Sequence, residues 1–234
     1  MNSEHIAHNL ETVRRELHKA CIDAGRAPKD VALLAVSKTH PAQFIQQAYQ
    51  AQQRCFGESY AQELASKAAE LAALGDIDFH FIGHLQSNKA RMVAAHASWI
   101  HSVHSLKLLE TLSAESVRTG RTLQVLFEVH LSPEESKSGC SPDLLPQLVE
   151  AALELPGVEP RGLMTMPPWD DDPEVARPYF RKLRELRDKL RDAYAIESFE
   201  QLSMGMSHDF KVAVQEGSTI VRVGTAIFGN RNYD

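Results

Sequence analysis

Short apolar runs, each too brief for a helix, recur eight times along this chain, and helical sequence separates each from the next. They are Val31–Val36, Arg54–Gly57, Phe79–Gly83, Trp99–Val103, Leu123–Val129, Gly162–Met166, Gln201–Met204 and Thr219–Val223. Uninterrupted apolar runs of this length suit strands buried on both faces. Their alternation with helices predicts a parallel sheet covered by helices. Eight such repeats predict closure into a (β/α)8 TIM barrel, and 234 residues lie within the usual size of that fold. An open, doubly wound sheet is the rival arrangement of the same pattern. An extra N-terminal helix is expected over His5–Ala24, where Ile6, Leu10, Val13, Leu17 and Cys21 share one face and Gly25 supplies a stop. The triple Asp170-Asp171-Asp172 followed by Pro173 reads as the start of a helix running to Tyr194, with Pro178 placed to bend it. No linker or low-complexity tract divides the chain, so residues 1–234 are read as a single domain.

Composition then removes classes of function. The net charge of −6 leaves no basic footprint for nucleic acid or an anionic membrane. The opening Met1-Asn2-Ser3-Glu4-His5 lacks the basic and apolar regions of a secretory signal, and no apolar stretch is long enough for a spanning helix. Three cysteines, Cys21, Cys55 and Cys140, without CxxC spacing argue against a disulfide framework. A reducing, cytoplasmic location is expected.

Function in such a barrel gathers at the carboxyl ends of the strands. After the seventh and eighth strands stand Ser203, Gly205 and Ser207, and then Gly224 and Thr225. Small residues admit an anion to the backbone N–H groups, hydroxyls add donors, and a following helix aims its positive end at the site. Tight turns and helix caps use the same residues, so the composition alone also fits a purely structural role. Lys38 ends the first strand. A lysine in a barrel mouth that loses its proton becomes the neutral amine that attacks an aldehyde, although most strand-end lysines are solvated or ion-paired. Beside a phosphate cradle, such an amine suits an aldehyde-bearing phosphate cofactor. Arg222, on the last strand, can bind a carboxylate, a phosphate or a ring nitrogen, or form a buried ion pair with Glu128 or Glu58.

A metal centre is not expected. His80 and His84 are separated by roughly 13 Å along a strand, and neither HExxH nor CxxC occurs. The GxGxxG and GxxxxGK[ST] phosphate loops and the GxSxG elbow are also missing.

Several segments together resemble the pyridoxal-phosphate homeostasis proteins. They are Ala35-Val36-Ser37-Lys38-Thr39, Phe56-Gly57-Glu58, His80-Phe81-Ile82-Gly83 with Leu85-Gln86-Ser87-Asn88-Lys89, Glu135-Ser136-Lys137-Ser138-Gly139, Gly162-Leu163-Met164-Thr165-Met166, Leu202 to Asp209, and Val221 to Gly229. The resemblance implies a fold-type III barrel similar to the amino-terminal domain of alanine racemase. It implies pyridoxal 5′-phosphate as an imine (a Schiff base) on Lys38, phosphate at Ser203, Gly205, Ser207, Gly224 and Thr225, and Arg222 facing the pyridine nitrogen. It further implies a carrier or regulator in vitamin B6 and amino-acid homeostasis, with no catalytic residue. Amino acids and pyridoxal-phosphate-dependent apoenzymes are the partners that such a role suggests. One position departs from the family: Ser59 stands where Asn is usual, and its shorter side chain reaches less far.

Two enzymatic readings compete. An amino-acid racemase needs a second acid/base opposite the lysine, which alanine racemase takes from a separate β-rich domain. This sequence reaches only Asp234, so no such domain is expected, and Tyr60 or His84 would have to substitute. A lysine-imine lyase acting on a sugar phosphate would need a poised carboxylate, with Glu58 the candidate. Lys137 has two readings, a solvated loop cation or a residue for cofactor release.

Overall fold

In the computed structural model, which describes residues 3–132 and 138–230, the eight apolar runs form one closed parallel barrel in the order β1 to β8. The strands are β1 (Ala32–Val36), β2 (Cys55–Glu58), β3 (Asp78–Phe81), β4 (Trp99–Val103), β5 (Leu123–Glu128), β6 (Val158–Met164), β7 (Gln201–Met206) and β8 (Ile220–Val223). Closure comes from β1 pairing with β8, in the register Ala32↔Ile220 through Ala35↔Val223. The open-sheet alternative is therefore excluded.

Helices α1 (Ser3–Asp23), α2 (Ala42–Gln50), α3 (Ala61–Glu70), α4 (Ala90–Ala94), α5 (Leu106–Thr119), α6 (Leu145–Glu154), α7 (Arg177–Tyr194), α8 (Phe210–Gln215) and α9 (Thr225–Phe228) accompany the strands. The apolar stripe of α1 is buried as its spacing predicts: Ile6, Leu10, Val13, Leu17 and Cys21 are all inside. Each fully buried side chain of this kind contributes roughly 1.5–3 kcal/mol relative to exposure. α1 packs on α2, α8 and α9, and Asn9 Nδ2 donates to the Ile227 carbonyl at 2.9 Å, so this helix covers the seam where the barrel closes. None of the described helices is long and apolar enough to cross a membrane. Cys21, Cys55 and Cys140 are free thiols.

Two details depart from the sequence pattern. β6 begins at Val158 rather than Gly162 and runs through Pro160. A register shift opposite Val125/Leu126 gives the strand an extra residue there, and a bulge is a place that tolerates the missing proline donor. Pro178 does not bend a helix. A 3-10 turn over Pro173–Ala176 precedes α7, so Pro178 sits in the first turn of α7, where its absent N–H is no loss.

The barrel divides its packing between two environments. Between sheet and helices lies a continuous apolar shell that includes Phe56, Phe81, Phe127, Phe180 and Phe199. Inside the barrel the apolar cluster is small, built on Leu34, Leu126, Met164 and Ile220. His80, His101, Ser203 and Arg222 are buried with it.

Candidate functional site

The carboxyl ends of the strands surround a cavity of about 650 Å³. Val36 and Lys38 enter from β1, Ser59 and Tyr60 from the end of β2, and Ile82, Gly83 and His84 from the end of β3. Met206, Ser207 and His208 face them from β7, and Arg222, Gly224 and Thr225 from β8. Ser138, Met166 and Trp169 complete the wall among the described residues. Among the described residues no aspartate or glutamate lines this space, whereas a lysine and an arginine do. That balance suits an anionic ligand carrying an apolar ring or chain.

Barrel closure brings the two halves of the site together. Because β1 and β8 are neighbours, Lys38 stands beside Gly224 and Thr225 although most of the chain separates them. The approach is tight: a Cβ on Gly224 would come within 3.2 Å of the Val36 carbonyl oxygen. On the other wall a Cβ on Gly83 would overlap the backbone of Ser59, so glycine there lets the β2 and β3 ends meet. Thr225 opens α9, whose first amides have no intrahelical acceptor.

Of the residues expected to bind a cofactor, Lys38, Ser207, Arg222, Gly224 and Thr225 line the cavity. Ser203 and Gly205 lie beneath it. Ser203 is fully buried and its hydroxyl is engaged inside the barrel. Gly205, at φ +91°, packs against α8, where a Cβ would come within 2.6 Å of the Ala213 Cβ. Lys137 lies outside the described residues.

Arg222 is not held by an ion pair with Glu128 or Glu58. Its Nη1 donates to the Ser203 carbonyl at 2.7 Å and to the Ser203 hydroxyl at 2.8 Å, and its Nη2 donates to the Thr165 carbonyl at 3.0 Å. Burial pushes its pKa down to about 10, against the pull of Asp209 and Glu128, so it remains a cation at neutral pH. Glu128 instead accepts from the Ser138 hydroxyl at 2.6 Å.

Two buried polar networks support the cavity floor, and sequence reading named neither. The first lies under Lys38. Lys67 Nζ donates at 2.7 Å to each of three oxygens: the Ser37 carbonyl, Glu58 Oε1 and Glu63 Oε1. Glu63 Oε1 also accepts the Thr39 N–H at 2.6 Å, and Glu58 Oε1 accepts the Ser37 hydroxyl at 2.7 Å. The carbonyl of the peptide entering Lys38 and the N–H of the peptide leaving it are therefore both clamped by an i,i+4 pair on α3. Thr39 is held at φ +65°, a strained conformation for a β-branched residue. Burial pushes Glu58 up to about 7 despite Lys67 and Ser37. Its second oxygen, Oε2, is buried without a partner, which also favours the protonated form.

The second network runs through the barrel interior. His101 Nδ1 lies 2.9 Å from the Ser203 hydroxyl, His101 Nε2 lies 2.9 Å from His80 Nδ1, and His80 Nε2 lies 3.2 Å from Asp78 Oδ2. Desolvation holds His101 well below its usual pKa. Cys55, Asp78 and His80 place donor atoms within 4.8 Å of one another at the amino ends of β2 and β3. Within that group Asp78 hydrogen-bonds to His80 and accepts from the Ser98 hydroxyl. His84 stacks on His104, with ring centroids 4.8 Å apart.

Comparison with known proteins agrees with this arrangement. The family model described as alanine racemase, N-terminal domain, matches residues 1–232. A protein of Aquifex aeolicus named pyridoxal phosphate homeostasis protein is 44% identical over 96% of this chain and 97% of its own length. A Pseudomonas aeruginosa protein of the same name is 45% identical over 97% and 96%. The chain belongs to the pyridoxal phosphate homeostasis protein family. The family's relatives are named for homeostasis and not for a reaction. PipY of Synechococcus elongatus, solved with pyridoxal phosphate bound, superposes with a TM-score of 0.85 at 38% identity, covering 96% of this chain and all (100%) of that one. Alanine racemase of Clostridium difficile, at 13% identity and a TM-score of 0.72, shares the fold over 58% of its length.

Proposed function

We propose that the chain is a pyridoxal 5′-phosphate binding protein of vitamin B6 and amino-acid homeostasis, which holds the cofactor as a Schiff base on Lys38 and does not turn over a substrate. On this reading residues 1–234 form one cofactor-binding domain. The observation that carries it is a cavity in which a lysine stands beside the Gly224–Thr225 turn and, among the described residues, no carboxylate lines the wall. The donor set fits the group: an amine for the aldehyde, a small-residue turn for the phosphate, and an arginine on the wall between. PipY, whose structure contains the cofactor, gives independent support.

When bound, the cofactor supplies an aldehyde and an electron-accepting ring. Lys38 would supply the amine for that aldehyde, with water as the leaving group. Ser207, Gly224 and Thr225 would hold the phosphate through amide and hydroxyl donors. Arg222 would face the ring nitrogen, where its fixed charge would keep that nitrogen unprotonated and limit carbanion chemistry. The lyase alternative loses its base, because Glu58 is fully buried on Lys67 and Ser37. A carrier releases its cargo to recipients, and pyridoxal-phosphate-dependent apoenzymes and free amino acids are those we propose.

The test is absorbance before and after borohydride, with peptide mapping. A reducible band fixed on Lys38 is expected, and Lys38→Ala should lose the covalent adduct while keeping the fold. A colourless protein that takes up no added pyridoxal phosphate defeats the reading. Lys38-dependent catalytic loss of chirality from an L-amino acid would instead restore the racemase.

A further inference from the structure

The interior network has a direction, which follows from what each end can do. A guanidinium only donates, so the Ser203 hydroxyl oxygen accepts from Arg222. Ser203 Oγ has one other neighbour in the network, His101 Nδ1, and its proton goes there. A carboxylate only accepts, so His80 donates from Nε2 to Asp78. His80 Nδ1 then accepts, and His101 Nε2 donates to it. The two ends impose the same polarity: both histidines are neutral and carry hydrogen on Nε2. Every donor in the series points away from the cavity, toward the amino end of the barrel.

We propose that His101 and His80 are positioning residues for Arg222: together with Ser203 and Asp78 they form a one-way donor chain that locks the Ser203 hydroxyl as an acceptor and fixes the guanidinium at the cavity wall. Three of the five N–H bonds of Arg222 are committed to Ser203 and Thr165. If His101 is removed, the Ser203 hydroxyl loses the acceptor it has among the described residues and is free to turn its proton toward Arg222. The chain also joins the ligand cavity to Asp78 at the opposite end of the barrel, so a change there is felt at Arg222 without any contact to the ligand.

The consequence for the ligand rests on the cofactor reading above; the polarity of the chain does not. Nitrogen-15 NMR of the labelled protein, first without cofactor, should show His80 and His101 as neutral Nε2–H tautomers at pH 7.5, assigned with His80→Gln and His101→Gln. An Nδ1–H tautomer or an imidazolium at either position would overturn the chain. With pyridoxal phosphate added, His101→Leu and Ser203→Ala should each weaken binding about tenfold, the size of one hydrogen bond to a charged group, and should shift the bound absorption maximum alike. The double variant should cost no more than either single one. Asp78→Ala should move the maximum in the same direction by less. Additive losses, or variants that lower Tm while leaving the wild-type spectrum and affinity unchanged, would make the network merely structural and sink the proposal. Failure of the wild-type protein to take up the cofactor would defeat the cofactor reading alone, since the tautomers are read without ligand.

Discussion

The polar groups beneath Lys38 and those beneath Arg222 are both largely buried, with Glu63 and Asp78 partly exposed, yet the first set is ionic and the second nearly neutral. Under Lys38 two carboxylates, Glu58 and Glu63, compete for one ammonium, Lys67. Under Arg222 two imidazoles relay hydrogen bonds between a cation and a distant carboxylate, and no opposite charges touch. A buried ion pair holds geometry strongly but is costly to break, because the survivor is left charged in a dry site. A neutral relay is weaker, and it carries orientation instead of charge. The barrel uses the first where a backbone segment has to be fixed and the second where a side chain has to be aimed.

The largest expected effect separates the two directly. Lys67→Met leaves Glu58 without its cation and should cost about 3–5 kcal/mol in denaturant unfolding, whereas His101→Asn, which removes neutral hydrogen bonds, should cost about 1–3 kcal/mol. Equal costs would erase the distinction.

Their pH dependences oppose each other. The folded pKa of Glu58, about 7, lies above its ordinary 4.5. Between those values the folded chain keeps a proton that the unfolded chain has lost, so this group makes stability fall as pH rises, by roughly 3 kcal/mol across the window. His101 is held below its ordinary 6.5. Under that pH the unfolded chain gains a proton that the folded chain refuses, so this group makes stability fall as pH drops. Urea midpoints from pH 4.5 to 7.5 should therefore tilt upward with pH in Glu58→Gln and downward in His101→Asn, relative to wild type. Parallel profiles in the two variants would contradict the assignment.

The smallest effect concerns Thr39, whose left-handed backbone the ionic network maintains. Thr39→Gly removes the strain and should raise stability by up to about 1 kcal/mol. A loss would mean that the threonine side chain itself supports the clamp.

The fold was legible because eight apolar runs at regular spacing have few other ways to be buried, and the cavity residues were legible because barrels place function at strand ends. Ser203 shows the limit of that reasoning. It stands in the right segment and is small and polar, yet strand parity turns it into the barrel interior, where it serves Arg222. Glu63 and Lys67 have the i,i+4 spacing of an ordinary exposed helical pair. Only the packing of α3 against the β1–β2 ends turns them inward. His80 and His101 belong together through the lateral register of two strands, which no linear spacing reveals.

Closure of the barrel between its first and last strands also fixes when the site can exist during synthesis. Lys38 leaves the ribosome roughly 10–40 s before Thr225 at ~5–20 residues per second. Until β8 pairs with β1, the lysine has no Gly224–Thr225 turn beside it. A nascent chain thus presents that lysine without its neighbouring turn, and the assembled cavity exists only once the last strand has joined the first.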